Sequence, residues 1–179
     1  FGTLYSGRAL EFDGVADYVT FDAITLDGDF TFAIWMKIDA FTQFLPFIST
    51  TANGNNFIGF RNADATDLYF RFSDAGGSEV AVDTAIFTGQ WHKVVISRDK
   101  SASEVYYYVD GKLIKTVTSS DYGNITNDLV VNAFGGWGST VGYFADYNLS
   151  GYQVWDKAWS LTDVQYDYTH PEKLITDNS

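Results

Sequence analysis

Phe30, Phe32, Ile34, Met36 and Ile38 occupy every second position of one unbroken segment, with Thr31, Ala33, Trp35 and Lys37 between them. Successive side chains of an extended chain point to opposite sides, so this period of two predicts a strand with one face turned to a core. The pattern recurs along the chain. Leu68, Phe70 and Phe72 alternate with Tyr69 and Arg71; Val94, Ile96 and Arg98 with Lys93, Val95 and Ser97; Val105, Tyr107 and Val109 with Tyr106 and Tyr108. The last two segments flank the polar run Arg98–Ser103 and so predict a hairpin. Asp110-Gly111 follows, between Tyr106–Val109 and Lys112–Val117, where a two-residue type I′ turn fits because glycine accepts the positive φ of the second position.

A single helix is predicted, over Leu161–Tyr168. Ser160 and Asp163 have the spacing of a capping pair, and Pro171 ends the run. Many short strands, one helix and one core lead to an all-β fold, two antiparallel sheets packed face to face as a jelly-roll sandwich. At 179 residues one core suffices, so residues 1–179 are expected to form one domain. Sixteen glycines against two prolines suit twisted strands joined by tight turns. The chain has no cysteine, which excludes disulfides and thiol chemistry. No apolar run reaches the length of a membrane span, so membrane insertion is not expected. The chain begins at Phe1 rather than Met, which leads to the expectation of a processed product or a piece of a larger polypeptide.

Net charge of -12 argues against nucleic acid and anionic membranes as partners, because phosphates are attracted by Lys and Arg clusters. Such a surface suits neutral sugars, divalent cations or plain solubility.

Four stretches carry a family resemblance: Ala9–Val19 (ALEFDGVADYV), Trp91-His92-Lys93-Val94, Tyr108-Val109-Asp110-Gly111-Lys112, and Leu149–Ser160 (LSGYQVWDKAWS) running into Leu161-Thr162-Asp163. Together they resemble the laminin-G-like branch of the concanavalin A-like lectin and glucanase superfamily, over about Leu10 to Tyr168. The resemblance implies the jelly-roll sandwich and leaves function open, since sugar binders, adhesion modules and glycosidases share it.

Catalysis finds no support in the residues. Retaining hydrolysis needs two carboxyl groups on one face about 5 Å apart. No Glu-x-Asp-x-x-Glu pattern of the kind the glucanase members use occurs, and Glu11 with Asp13 lies in the opening motif, where Asp-Gly makes a turn. No Gly-x-Ser-x-Gly elbow is present; His92 reads as a strand-start residue and His170 stands beside Pro171. A zinc site would need more His or Cys than the chain has. A non-enzymatic domain is therefore expected.

The resemblance also implies a structural Ca2+ beside the Phe-Asp-Gly loop, with Asp13 and Asp17 as its ligands here. Where related domains read Ile-Asp-Glu before the final strand, this chain reads Leu149-Ser150-Gly151, and the alternative is that both aspartates serve turns without a metal.

Carbohydrate binding rests on aromatic and polar supply. Sugar C–H faces stack on rings, and hydroxyls need amide, carboxylate and guanidinium partners. The candidate residues are Trp35, Arg61, Tyr69 and Arg71, placed by alternation on a face turned away from the core, with Asn55 and Asn56 from the loop 53–56 and Trp137 from the glycine-rich stretch 135–139. Trp137 flanked by glycines is costly to leave exposed; the other reading of it is a plug over one end of the core. The two functions considered are a lectin-like, non-catalytic module of a larger extracellular or virion-surface protein, and an adhesion module docking to a surface protein, such as a phage capsid-decoration or tail-fibre domain. Sequons at Asn124 and Asn148 are uninformative without a eukaryotic secretory host.

Overall fold

A computed structural model describes residues 9–38, 44–50, 57–64, 67–72, 80–82, 89–119, 125–137, 143–144 and 146–171. In chain order the elements are β1 (Leu10–Asp13), β2 (Val19–Leu26), β3 (Phe30–Lys37), β4 (Phe44–Ser49), β5 (Phe57–Asp64), β6 (Asp67–Phe72), β7 (Val80–Val82), β8 (His92–Asp99), β9 (Glu104–Val109), β10 (Lys112–Thr118), β11 (Leu129–Phe134), β12 (Gly136–Trp137), β13 (Tyr143–Phe144), β14 (Asp146–Trp155) and α1 (Leu161–Thr169). They form two six-stranded antiparallel sheets, β1-β14-β3-β8-β9-β10 and β2-β11-β4-β5-β6-β7, with β12-β13 as a small ribbon. The final strand β14 inserts between β1 and β3 and so brings the first and last strands together in the first sheet. This is the expected all-β, jelly-roll-like sandwich with one helix after the last strand.

The main core lies between the sheets. Phe30, Phe32, Ile34 and Met36 of β3, with Val94 and Ile96 of β8, Val105 and Tyr107 of β9 and Tyr147 of β14, meet Phe47, Ile48, Ile58, Leu129 and Val131 of the second sheet. Each such side chain, once fully buried, contributes roughly 1.5–3 kcal/mol before chain entropy is counted. The expectation that β3 buries only one face is corrected: Thr31 and Ala33 are fully buried too. Helix α1 and the segment leading into it pack on the outer face of the first sheet, where Trp159 and Val164 join Ala33, Val95 and Tyr108 in a second core.

The turn and helix signals appear as local chemistry dictates. Asp110 and Gly111 have φ of 48° and 75°, the two positive values a type I′ turn needs. Asp110 also accepts from the Lys93 backbone N–H at 2.9 Å and pairs with His92 Nδ1 at 2.8 Å, which fastens the start of β8 to the β9–β10 turn. Ser160 Oγ accepts from the Asp163 N–H at 3.3 Å while Asp163 Oδ2 accepts from the Ser160 N–H at 2.8 Å, a complete capping box. The helix runs one residue beyond the predicted end, with His170 as its cap.

Arg98, whose alternation places it among core residues, is fully buried. Its Nε donates to the Gly28 carbonyl at 2.9 Å and its terminal nitrogens to the carbonyls of Leu26 at 2.9 Å and Asn127 at 2.7 Å. A guanidinium satisfied in this way closes one end of the sandwich by holding loops 27–29 and 125–128 together.

Candidate functional site

Ile58 points into the core, so positions 59 and 61 of β5 lie on the opposite, outward face of the second sheet. Pairing carries that face across to β6: Arg61 stands opposite Tyr69, and Gly59 opposite Arg71. Tyr69 is in turn opposite Ala81 of β7. Antiparallel partners share a face at about 5 Å, so Arg61, Tyr69 and Arg71 occupy neighbouring positions on an area the size of one or two sugar rings. Helix α1 packs on the other sheet.

The remaining sequence candidates are dispersed. Trp35 belongs to β3 in the first sheet, and this corrects the grouping of Trp35 with Arg61, Tyr69 and Arg71. Its ring stacks on Tyr168 of α1 with centroids 5.8 Å apart, and Lys93 Nζ lies 5.8 Å from its centroid. Trp35 is thus half-buried under the C-terminal turn of the helix. Trp137 lies in β12, its backbone opposite Tyr143 of β13. Ser49 Oγ donates to the Gly136 carbonyl at 2.6 Å, which places this ribbon at the Ser49 end of β4, whereas Arg61 pairs at the Phe44 end. Asn55 and Asn56 lie outside the described residues.

Asp13 and Asp17 are close together in the loop after β1. Asp13 Oδ1 accepts from the N–H groups of Val15 at 2.8 Å and Ala16 at 3.4 Å, and Asp17 Oδ2 accepts from the Asp13 N–H at 3.3 Å. These are turn-forming bonds, with Gly14 at φ 72°. Calcium takes six to eight oxygens; among the described residues no group of three or more His, Asp or Glu side chains is arranged to hold a metal. Leu149-Ser150-Gly151, expected before the final strand, lies within it: Leu149 and Ser150 pair with Met36 and Trp35, and Gly151, at φ 59°, sits in a bulge.

Two features escaped the sequence reading. A shallow groove of about 520 Å³ runs between the Asp110-Gly111 turn and α1, lined by Lys112, Gln165, Tyr166 and Tyr168 among others. Beneath the helix, Lys93 and Asp167 form a buried pair with Nζ 2.7 Å from Oδ2. Lys93 and Asp167 are far apart in sequence, and no local pattern records their pairing. Among the described residues no helix is long and apolar enough to cross a membrane.

Comparison with known proteins agrees with this architecture. A family model described as "Concanavalin A-like lectin/glucanases superfamily", of laminin-G type, matches residues 13–165. No curated protein matches the chain. Among solved structures, the heptameric SAP-like pentraxin from Limulus polyphemus superposes with a TM-score of 0.64 at 17% identity, over 89% of this chain and 81% of that one. The CBM40 of the Ruminococcus gnavus IT-sialidase, bound to α2,3 sialyllactose, gives 0.61 at 16% identity, over 88% and 96%. The Trypanosoma rangeli sialidase gives 0.64 at 12% identity, over 89% of this chain but 27% of that one. At such identities these likenesses show the shared fold.

Proposed function

The chain belongs to the concanavalin A-like lectin/glucanase superfamily, in its laminin-G-like branch, and on that premise we propose that it is a non-catalytic carbohydrate-binding module of a larger extracellular or virion-surface protein. The observation that carries this reading is the adjacency of Arg61, Tyr69 and Arg71 on the outward face of the second sheet. A tyrosine ring suits the C–H face of a sugar, and a guanidinium fork suits a carboxylate or a pair of hydroxyls. Two arginines around one tyrosine favour a carboxylate-bearing sugar over the neutral ones that net charge alone suggested. The R. gnavus module, described bound to sialyllactose and matched over nearly its whole length, supports the same direction. The match to only 27% of the T. rangeli sialidase chain supports a non-catalytic role.

A glycan array of sialylated, uronic-acid and neutral glycans, run with calcium and with a chelator, tests the reading. Binding to carboxylate-bearing glycans that is lost in Arg61→Ala and Arg71→Ala is the expected result. Loss with chelator would assign calcium to the site, and its persistence would dispense with the metal. A blank array under both conditions overturns the lectin reading in favour of a module that docks to a protein partner.

A further inference from the structure

Lys93 of β8 and Asp167 of α1 meet beneath the helix, their side chains 1% and 0% exposed, with Nζ 2.7 Å from Oδ2. The contact has the distance of an ion pair, and Oδ2 has no other hydrogen-bond partner. The other oxygen, Oδ1, accepts from Gln153 Nε2–H at 3.1 Å, and Gln153 Oε1 in turn accepts from Trp155 Nε1–H at 3.0 Å. The Trp35 ring flanks the amine on another side. A strand, a helix and a fixed amide therefore hold an amine against a carboxyl group away from water.

We propose that Lys93 and Asp167 are a modification site at which the two side chains condense into an intramolecular amide joining β8 to α1. The reactants are the ammonium and the carboxylate. Transfer of one proton from Nζ to Oδ2 leaves a carboxylic acid and a neutral amine, which burial favours over the ammonium. Burial lowers the pKa of the Lys93 amine in the same direction. The Nζ lone pair then forms a bond to Cγ, and the electrons of the Cγ–Oδ1 double bond move onto Oδ1, where the Gln153 N–H already points. A second proton passes from Nζ to Oδ2, the electrons on Oδ1 return to re-form the Cγ–Oδ1 double bond as the Cγ–Oδ2 bond breaks, and one water leaves; Nζ keeps its third proton as the amide N–H. No oxidant, external acid or cofactor enters the balance. Well-oriented groups have effective molarities of about 10⁵ to 10⁸ M, so holding the amine against the carboxyl group lowers the barrier to their condensation. In a chain without cysteine the bond closes a long covalent loop, from residue 93 to residue 167, as a disulfide would.

Intact-mass measurement of the purified, denatured chain decides the matter, followed by peptide mapping. The expected result is a mass lower by one water, with a branched peptide joining the segments around Lys93 and Asp167. Lys93→Arg and Asp167→Ala restore the full mass, while Asp167→Asn loses ammonia instead of water. Succinimides at Asp13-Gly14, Asp27-Gly28 or Asp110-Gly111 would also remove a water, but they yield no branched peptide and are opened by hydroxylamine. A wild-type chain of unreduced mass after prolonged incubation, or a water loss mapped to one of those Asp-Gly pairs, overturns the proposal, whatever the variants do to folding.

Discussion

The guanidinium carbon of Arg98 lies 4.4 Å from the centre of the Phe30 ring, so a permanent positive charge rests on an aromatic face inside the sandwich. Burial lowers its pKa, opposed by the acidic loop residues Asp128, Asp29 and Asp27, yet a guanidinium retains its proton in this setting. The carbonyls of Leu26, Gly28 and Asn127 converge on it from two loops.

Arg98→Lys keeps the charge but loses the planar fork, leaving buried carbonyls without donors. The expected cost is about 2–4 kcal/mol of stability. Urea unfolding checks it, and a loss below that of an ordinary surface substitution would show that the loops hold together without the fork.

Gly135 has φ of 84°, and a Cβ built on it would come within 2.2 Å of the Phe12 ring, itself buried in the core. Gly135→Ala should therefore destabilise by roughly 2–4 kcal/mol through strain and overpacking together. Gly28→Ala is the matched control, since nothing lies within 4 Å of its added carbon. Comparison of the two midpoints in one denaturant series separates clash together with positive-φ strain from loss of glycine as such.

Ser160→Ala removes one half of the capping box and leaves the Asp163 N–H without its acceptor. A loss of about 1 kcal/mol is expected, read as a lower thermal midpoint. Because α1 covers one face of the first sheet, faster amide exchange in residues 161–169 should accompany it.

The Tyr106 hydroxyl donates to Glu104, and that carboxylate is the first cause of a pKa pushed up to about 12. The folded-state value is raised above the ordinary value of about 10, so this contribution to stability is complete below about pH 10 and is lost as pH rises toward 12. Ultraviolet titration should find Tyr106 ionising late beside Tyr108, Tyr147 and Tyr152, which burial also raises, and Glu104→Gln should return Tyr106 alone toward the ordinary value.

Trp137→Ala tests whether the β12 ribbon belongs to the ligand face. With the ribbon at the opposite end of β4 from Arg61, unchanged glycan binding is the expected outcome. Unchanged binding would remove Trp137 from the site and leave Arg61, Tyr69 and Arg71, for which Tyr69→Ala should cost tenfold or more in affinity, about 1.4 kcal/mol.

Alternation told which residues of one strand share a face, and Asp110-Gly111 and Ser160 with Asp163 told where chain direction changes, because each of these depends on backbone geometry within a few residues. The sequence by itself therefore determined the strands around Phe30–Ile38, Leu68–Phe72, Val94–Arg98 and Val105–Val109, the hairpins between Val94 and Val117, the helix and the family. It could not tell what covers a face. Trp35, Arg61, Tyr69 and Arg71 look alike as outward positions, but β3 pairs into the sheet roofed by α1, while β5 and β6 pair into the other. Only the tertiary structure separated Trp35 from the arginines, laid carbonyls from two loops around Arg98 and brought Lys93 to Asp167. Each of these results from pairing between residues distant in the chain, where the gain comes from the whole core and no local pattern records the partner.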